Sequence, residues 1–291
     1  INSRELSVTA SLGIAVCPSD GSTMVALLNR AETAMYKVKD DGRNGLHFYA
    51  PEMQQNSERT LAVLQALKLA LARDQLHMVY QPQIDAFSGR MVGSEALLRW
   101  RHPQLGNVSP AEFIPLAERN GLIVSIGTWV LRQVMRQIRV WRDAGLPEMT
   151  VAVNLSAVQF AQPDLIEVIQ RIANEEGVEP SLVELELTEA VALKNPEAAA
   201  KSIKALQEAG FKVSIDDFGT GYSSMTYLKK FAVDKLKIDQ SFVRGVESST
   251  NDQAIVRATV QMAHGLGMIT IAEGVETQAE MDFLRSCGCD E

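Results

Sequence analysis

From residue 76 onward, short apolar runs alternate with stretches whose apolar residues recur every three or four positions. The runs at 76–82, 91–100, 150–155, 182–187, 212–216, 233–238 and 269–272 predict seven strands, and residues 111–119, 125–144, 163–176, 196–209 and 251–266 carry helical spacing. Residues 85–90 (Asp-Ala-Phe-Ser-Gly-Arg) are hairpin-loop chemistry, with Gly89 in a turn position, so the first two strands should run antiparallel. The remaining strands alternate with helices, which implies a mainly parallel sheet. At this length the leading architecture is a closed α/β barrel, a TIM-like (β/α)8 barrel with an antiparallel first strand. Seven strands leave the closing strand missing, to be expected beyond residue 291.

The first 75 residues follow a different pattern. Residues 6–16 alternate like a strand, residues 17–22 are turn-forming, and Met24, Leu27, Leu28, Ala31, Met35 and Val38 share one helical face. Gly42-Arg43-Asn44 stops that helix, and residues 46–49 form another short strand. Fifty residues of this kind make a partial α+β domain, too small to bury a core of its own. A polar stretch and then a helix over 58–73 read as a connector spanning 51–75, which leaves 76–291 for the barrel.

Composition changes the picture only at its edges. The 291 residues are 46% hydrophobic and 22% charged, an ordinary balance for a globular chain. A net charge of −8 argues against broad duplex nucleic-acid binding. A nucleotide substrate stays open, because bound cations can reverse the local sign. The most apolar stretch, 121–134, is broken by Ser125, Thr128, Arg132 and Gln133, so no membrane segment is expected. The opening residues lack a basic, then apolar, leader. Cys17, Cys287 and Cys289 are too few and scattered for a disulfide framework; reduced thiols in a cytoplasmic protein are expected, and the single Cys-x-Cys pair is weak as a metal site.

The informative feature is where polar residues interrupt the apolar strands. Glu95, Asn154, Glu186, Asp216, Asp217, Lys237 and Glu273 fall at or near strand ends, and after Asn154 they recur 20 to 36 residues apart. In a parallel barrel those ends share one rim. Carboxylates gathered there repel one another unless a counter-charge intervenes, and hard cations with oxygen ligands, Mg²⁺ or Mn²⁺, answer that need. Taken singly, each residue has a bland alternative: Asn154 could cap the next helix, and Lys237 could be a rim charge. Independent caps have no reason to recur on nearly every strand. Glu95, Leu97 and Arg99 share a face of the second strand, so Arg99 could meet a phosphate or simply pair with Glu95. The adjacent Asp216 and Asp217 cannot share a face of a regular strand; a strand ending between them, before the Gly-rich residues 218–224, would let both reach a two-metal site.

Taken together these motifs resemble the EAL phosphodiesterase family over about residues 60–291. They are Tyr80-Gln-Pro, Glu95-Ala-Leu97 within Ser94-Glu-Ala-Leu-Leu-Arg-Trp, and Val153-Asn-Leu-Ser. They continue with Glu186-Leu-Thr-Glu189, Asp216-Asp-Phe-Gly-Thr-Gly-Tyr-Ser-Ser, Lys235-Leu-Lys-Ile-Asp239 and Ala272-Glu-Gly-Val-Glu276. Residues 7–15 and 30–44 resemble the C-terminal part of a GGDEF (diguanylate cyclase) domain without its signature loop, so no cyclase activity is implied. The EAL resemblance implies hydrolysis of cyclic di-GMP to linear 5′-pGpG at a two-metal site. Glu95, Asn154, Glu186, Asp216 and Asp217 would be metal ligands, Glu273 the general base or holder of the water, and Lys237 the residue orienting that water and the phosphate. Gln81, Leu97 and Arg99 would contact substrate, while Glu189, Asp239 and Glu276 would support loop and pocket wall. Glu184 shares a face with Glu186, and only the motif chooses between them. A homodimer and an upstream sensor domain are further implications. The competing classes are an inactive cyclic di-GMP-binding sensor, whose kind loses ligands that are all present here, and an unrelated metal-dependent barrel such as a lyase.

Overall fold

The computed structural model describes residues 8–219 and 225–291, which divide between Ala70 and Leu71 into two compact units. The first holds β1 (Ser11–Ile14), α1 (Met24–Asp40), β2 (Gly45–Phe48) and α2 (Pro51–Ala70). β1 and β2 pair in parallel with α1 against them. Thr23 caps α1 by accepting from Ala26 N. The connector helix differs from expectation: it begins at Pro51 rather than residue 58 and ends at Ala70. Pro suits a first helical turn, where its missing N–H costs nothing.

The second unit runs β3 (Leu76–Ile84), β4 (Met91–His102), β5 (Gly106–Val108), α3 (Pro110–Arg119), α4 (Leu122–Asp143), β6 (Thr150–Asn154), α5 (Ala157–Phe160), α6 (Leu165–Glu176) and β7 (Val183–Thr188). It continues with α7 (Glu189–Lys194), α8 (Pro196–Glu208), β8 (Lys212–Phe218), α9 (Met225–Phe231), β9 (Lys235–Ile238), α10 (Gln240–Val243), α11 (Thr250–Gly265), β10 (Ile269–Ala272) and α12 (Gln278–Cys287). One sheet takes the order β10-β9-β8-β7-β6-β4-β3, with β5 on β4. As expected, β3 and β4 are antiparallel, joined by a loop in which Asp85 Oδ1 accepts from Phe87 N and Ser88 N and Gly89 is left-handed. From β4 to β10 every step along the main path is parallel.

Period-two patterning sorts this sheet into two faces. Val183, Leu185 and Leu187 of β7 and Leu236 and Ile238 of β9 are buried, as are Val134, Ile169, Ile203 and Val260 of the helices, and Ile238 packs in one cluster with Val260. The alternate positions, Glu184, Glu186, Ser214, Asp216, Lys235 and Lys237, are equally buried but polar. The curled sheet therefore carries its charges on its inner face.

No pairing joins β3 to β10 among the described residues, so the curled sheet is an open half-barrel. The last residues begin to span that seam: Ala86 N donates to Asp290 O at 2.8 Å, and Ala272 N to Glu291 O at 3.0 Å. No helix among the described residues is long and apolar enough to cross a membrane. All three cysteines are free, and burial lifts the Cys289 thiol to about 11.

Candidate active site

Lys237 stands at the centre of the predicted cluster. Its Nζ lies 2.7 Å from Glu273, 2.8 Å from Glu186, 3.1 Å from Asp216 and 3.5 Å from Glu95. Asn154 Nδ2 donates to Glu95 Oε1 at 2.7 Å. Six residues from six strands or strand tips thus converge on one point. Glu273 follows β10 directly, Asn154 ends β6, and Glu186 and Lys237 sit one or two residues from their strand ends. Glu95 is the exception to the strand-end expectation, lying mid-strand because β4 runs on to His102 and pairs with β5.

Asn154 does not cap the next helix. Ser156 does, accepting from Gln159 N, while the Gln159 side chain returns to the Ser156 backbone in a capping box. Gln159 is buried against Gly127 of α4, where a Cβ would stand 1.8 Å from Gln159 Nε2, so a side chain there would have to displace the Gln159 amide. With the helix start satisfied by Ser156, the Asn154 amide is left to face Glu95.

The paired aspartates are arranged differently from expectation. β8 does not end between them but continues to Phe218 through a bulge: Ile215 pairs with Leu236 and Phe218 with Ile238, so β8 carries one extra residue. Asp217 takes up that residue in the left-handed region, φ 56°, an uncommon conformation for a non-glycine, and its N–H donates to Asp216 Oδ1 at 2.8 Å. Of the Gly-rich stretch, residues 220–224 lie outside the described residues.

The other candidates divide. Gln81 pairs with Glu95 across β3–β4, and with Gln83, Glu95, Asp216, Gln240 and Glu273 it lines a cavity of about 500 Å³ beside the seam. Gln83, two positions on, was missed, although its period-two relation to Gln81 was there to be read. Leu97 is half-buried on the Glu95 face. Arg99 directs Nη1 to the Leu98 carbonyl at 2.9 Å while Glu95 turns to Asn154 and Lys237, so the simple Glu95–Arg99 pair is not what forms. Glu189 accepts from Gly219 N at 3.1 Å, just past the bulge. Asp239 caps α10, accepting from Ser241 N at 2.9 Å. Glu276 pairs with Arg244 at 3.2 Å with both side chains more than half exposed, on the surface rather than on the pocket wall. Glu184 separates from Glu186 by depth: it meets Lys235 at 3.1 Å, and Lys235 meets Glu291 at 2.8 Å, a second ionic tier below the first.

Electrostatics show how strained the upper tier is. Burial holds the Glu186 carboxyl well above its ordinary range, with Glu95 and Asp216 adding to it against the pull of Lys237. Burial likewise raises Glu273, and burial with the charges of Asp216 and Asp239 raises Asp217. Burial works against the Lys237 ammonium, but Glu186, Asp216, Glu95 and Glu273 outweigh it and hold it above its usual value. One ammonium among four carboxylates leaves an excess of negative charge, and Glu186 Oε1 is buried with no hydrogen bond among the described residues. The donor set, oxygen throughout, fits a hard divalent cation. Among the described residues no three acidic, His or Cys side chains form a ready-made ligand cage; the ammonium stands between them.

A pH-dependent response to cations follows. Glu186, Glu273 and Asp217 have folded pKa values raised above their ordinary 4.5, 4.5 and 3.8. Their contribution to stability is complete below those values and is lost as pH climbs through the raised ones. A cation held by Glu186 and Asp217 would bind their deprotonated forms. The increase in Tm on adding Mn²⁺ should therefore grow from pH 4.5 upward, read as the difference between scans in Mn²⁺ and in EDTA. A difference that shrinks with pH contradicts this electrostatic picture.

Fold and site together define an open α/β half-barrel with an acidic, lysine-centred inner face. The chain belongs to the EAL domain family: the family model matches residues 64–291, and residues 1–45 match the diguanylate cyclase GGDEF domain. The chain is 44% identical over 290 residues to the bifunctional diguanylate cyclase/cyclic di-GMP phosphodiesterase MucR of Pseudomonas aeruginosa, covering 100% of this chain and 42% of MucR. To the cyclic di-GMP phosphodiesterase PdeR of Escherichia coli it is 40% identical over 287 residues, 99% of this chain and 43% of PdeR. It thus spans less than half the length of these relatives. The structure titled PaMucR phosphodiesterase, c-di-GMP complex, superposes with a TM-score of 0.76 at 45% identity, over 79% of this chain and 93% of that one.

Proposed function

We propose that this barrel hydrolyses cyclic di-GMP to linear 5′-pGpG with Mg²⁺ or Mn²⁺ as cofactor, a phosphoric diester hydrolase. The observation carrying this reading is the convergence of Glu95, Glu186, Asp216 and Glu273 on Lys237 Nζ, with Asn154 on Glu95. The names of MucR and PdeR and the ligand in the MucR structure supply the substrate.

In this reading Glu95, Asn154, Glu186, Asp216 and Asp217 hold the cations, which when bound supply positive charge to the attacked phosphate and acidify water. Glu273, its basicity raised by burial, takes the proton of the attacking water as the water oxygen bonds to phosphorus. The P–O3′ bond breaks and the ribose oxygen takes a proton from water, while the proton held by Glu273 returns to solvent. Lys237, 2.7 Å from Glu273, orients that water and faces the developing negative charge. Arg99 supports the phosphate, and Gln81 and Leu97 bound the substrate. All of these positions are filled, which argues against binding without turnover.

The test is product analysis by mass spectrometry with the full-length polypeptide, cyclic di-GMP and either cation. Linear pGpG should form, stop on adding EDTA and resume with excess Mn²⁺. Tight binding of cyclic di-GMP with no product in either metal would replace this reading with that of a sensor.

A further inference from the structure

The short helix α10 touches the backbone just past two members of the acidic site, at Gly219 after β8 and at Gly274 after Glu273. It leaves β9 directly after Ile238, its start fixed by Asp239, which accepts from the N–H and the hydroxyl of Ser241. Phe242 lays its ring against Gly219, where a Cβ would stand 3.0 Å from the ring. Gly219 has φ 93° and follows Asp217 by two residues; on another side its N–H is held by Glu189. Gln240, from the same helix, lies against Gly274, where a Cβ would come within 2.7 Å of the Gln240 Cβ. Gly274 has φ 70° and adjoins Glu273. Two glycines, one on each loop, thus give backbone room to two side chains of a single helical turn. That turn is fastened to a core of Val243, Val246, Val256, Val260 and Leu284, against which Phe242 packs.

We infer that α10 is the spacer setting the two loops against each other, and that Phe242 is a positioning residue for Asp217. Asp217 holds a left-handed conformation that persists only where its surroundings over-determine it. Glu189 ties the following backbone by a hydrogen bond and the Phe242 ring limits it by contact. With no side chain on Gly219 between ring and backbone, displacement of the ring is displacement of the chain that carries Asp217. The consequence for cation binding rests on the function proposed above; the consequence for loop position does not.

The test compares Phe242→Ala, Phe242→Tyr and Val260→Ala in the full-length polypeptide. Mn²⁺ affinity is read from the electron paramagnetic resonance of the free ion, and amide exchange of residues 217–219 and 273–276 is followed without metal. Phe242→Ala should weaken Mn²⁺ binding by about tenfold and speed exchange at Gly219, while Phe242→Tyr, which keeps the ring, should match the parent. Val260→Ala removes packing from the same core away from Gly219; it should lower Tm and leave affinity and loop exchange unchanged. Parent-like exchange and affinity in Phe242→Ala overturn the inference, and so does a Val260→Ala variant that reproduces its pattern. If the parent binds no Mn²⁺, the functional proposal fails, and the exchange comparison alone decides the role of Phe242.

Discussion

Glu273→Gln should lower kcat for cyclic di-GMP by roughly 10²- to 10⁴-fold, the range a general base contributes, with little change in Tm or in Mn²⁺ affinity. Glutamine preserves the shape of the side chain and leaves an oxygen to accept from Lys237, which lies 2.7 Å away in the native protein. What it removes is the ability to take a proton. Burial raises the Glu273 pKa, with Asp216 and Glu95 adding to it against Lys237. A carboxylate held up in this way keeps its basicity into the range where water must be deprotonated. The pH profile separates this role from a structural one. In the parent, kcat/KM should fall on the acid side with an inflection above the ordinary carboxylate value of 4.5, and the variant should lose that inflection. A variant within tenfold of the parent, with the same acid limb, would remove Glu273 from proton transfer and leave it as a partner for Lys237.

How much of this site was legible in sequence depends on the scale of the signal. Glu186 and Lys237 were readable because each interrupts a short apolar strand, and the period of two fixes which face each takes. That Lys237 is the shared counter-ion of four carboxylates was not readable, since it depends on side chains from separate strands meeting at a single atom. The Asp216–Asp217 bulge was hidden for a related reason: it is a mismatch of one residue between β8 and β9, set by the partner's register rather than by the aspartates. At the periphery, α2 begins ahead of its apolar spacing, because its first ten residues carry little apolar beyond Met53 and the regular pattern starts only at Leu61. Helix α12 lies outside the expected helices, although its capping box, Thr277 with Glu280, is a sequence signature. Short helices such as α5 and α10 lack enough turns to show a period, and their existence follows from the caps Ser156 and Asp239.

Lys237→Met should have the largest combined effect, on stability without divalent cations and on turnover with them. Methionine fills comparable space but withdraws the ammonium from among Glu95, Glu186, Asp216 and Glu273. Removing one partner from a buried ion cluster costs about 3–5 kcal/mol, so in EDTA at neutral pH a marked fall in Tm is expected. The cost should diminish toward pH 4.5, because carboxylates already raised by burial can then be protonated rather than left charged. Mn²⁺ should likewise restore much of the lost stability by replacing the missing charge. Turnover should not return with it: the ammonium beside Glu273 is the fixed charge facing the reacting water and phosphate, and loss of one such group lowers kcat by about 10²–10³-fold. Lys235→Met supplies the contrast. Lys235 bridges Glu184 and Glu291 one tier deeper, at 3.1 and 2.8 Å, so its loss should depress Tm in a comparable way. It touches none of the groups assigned to catalysis, and kcat measured below the Tm of the variant should stay near that of the parent. If Lys237→Met in saturating Mn²⁺ turns over cyclic di-GMP as fast as Lys235→Met, then Lys237 serves only to neutralise the metal-free cluster and has no part in the reaction.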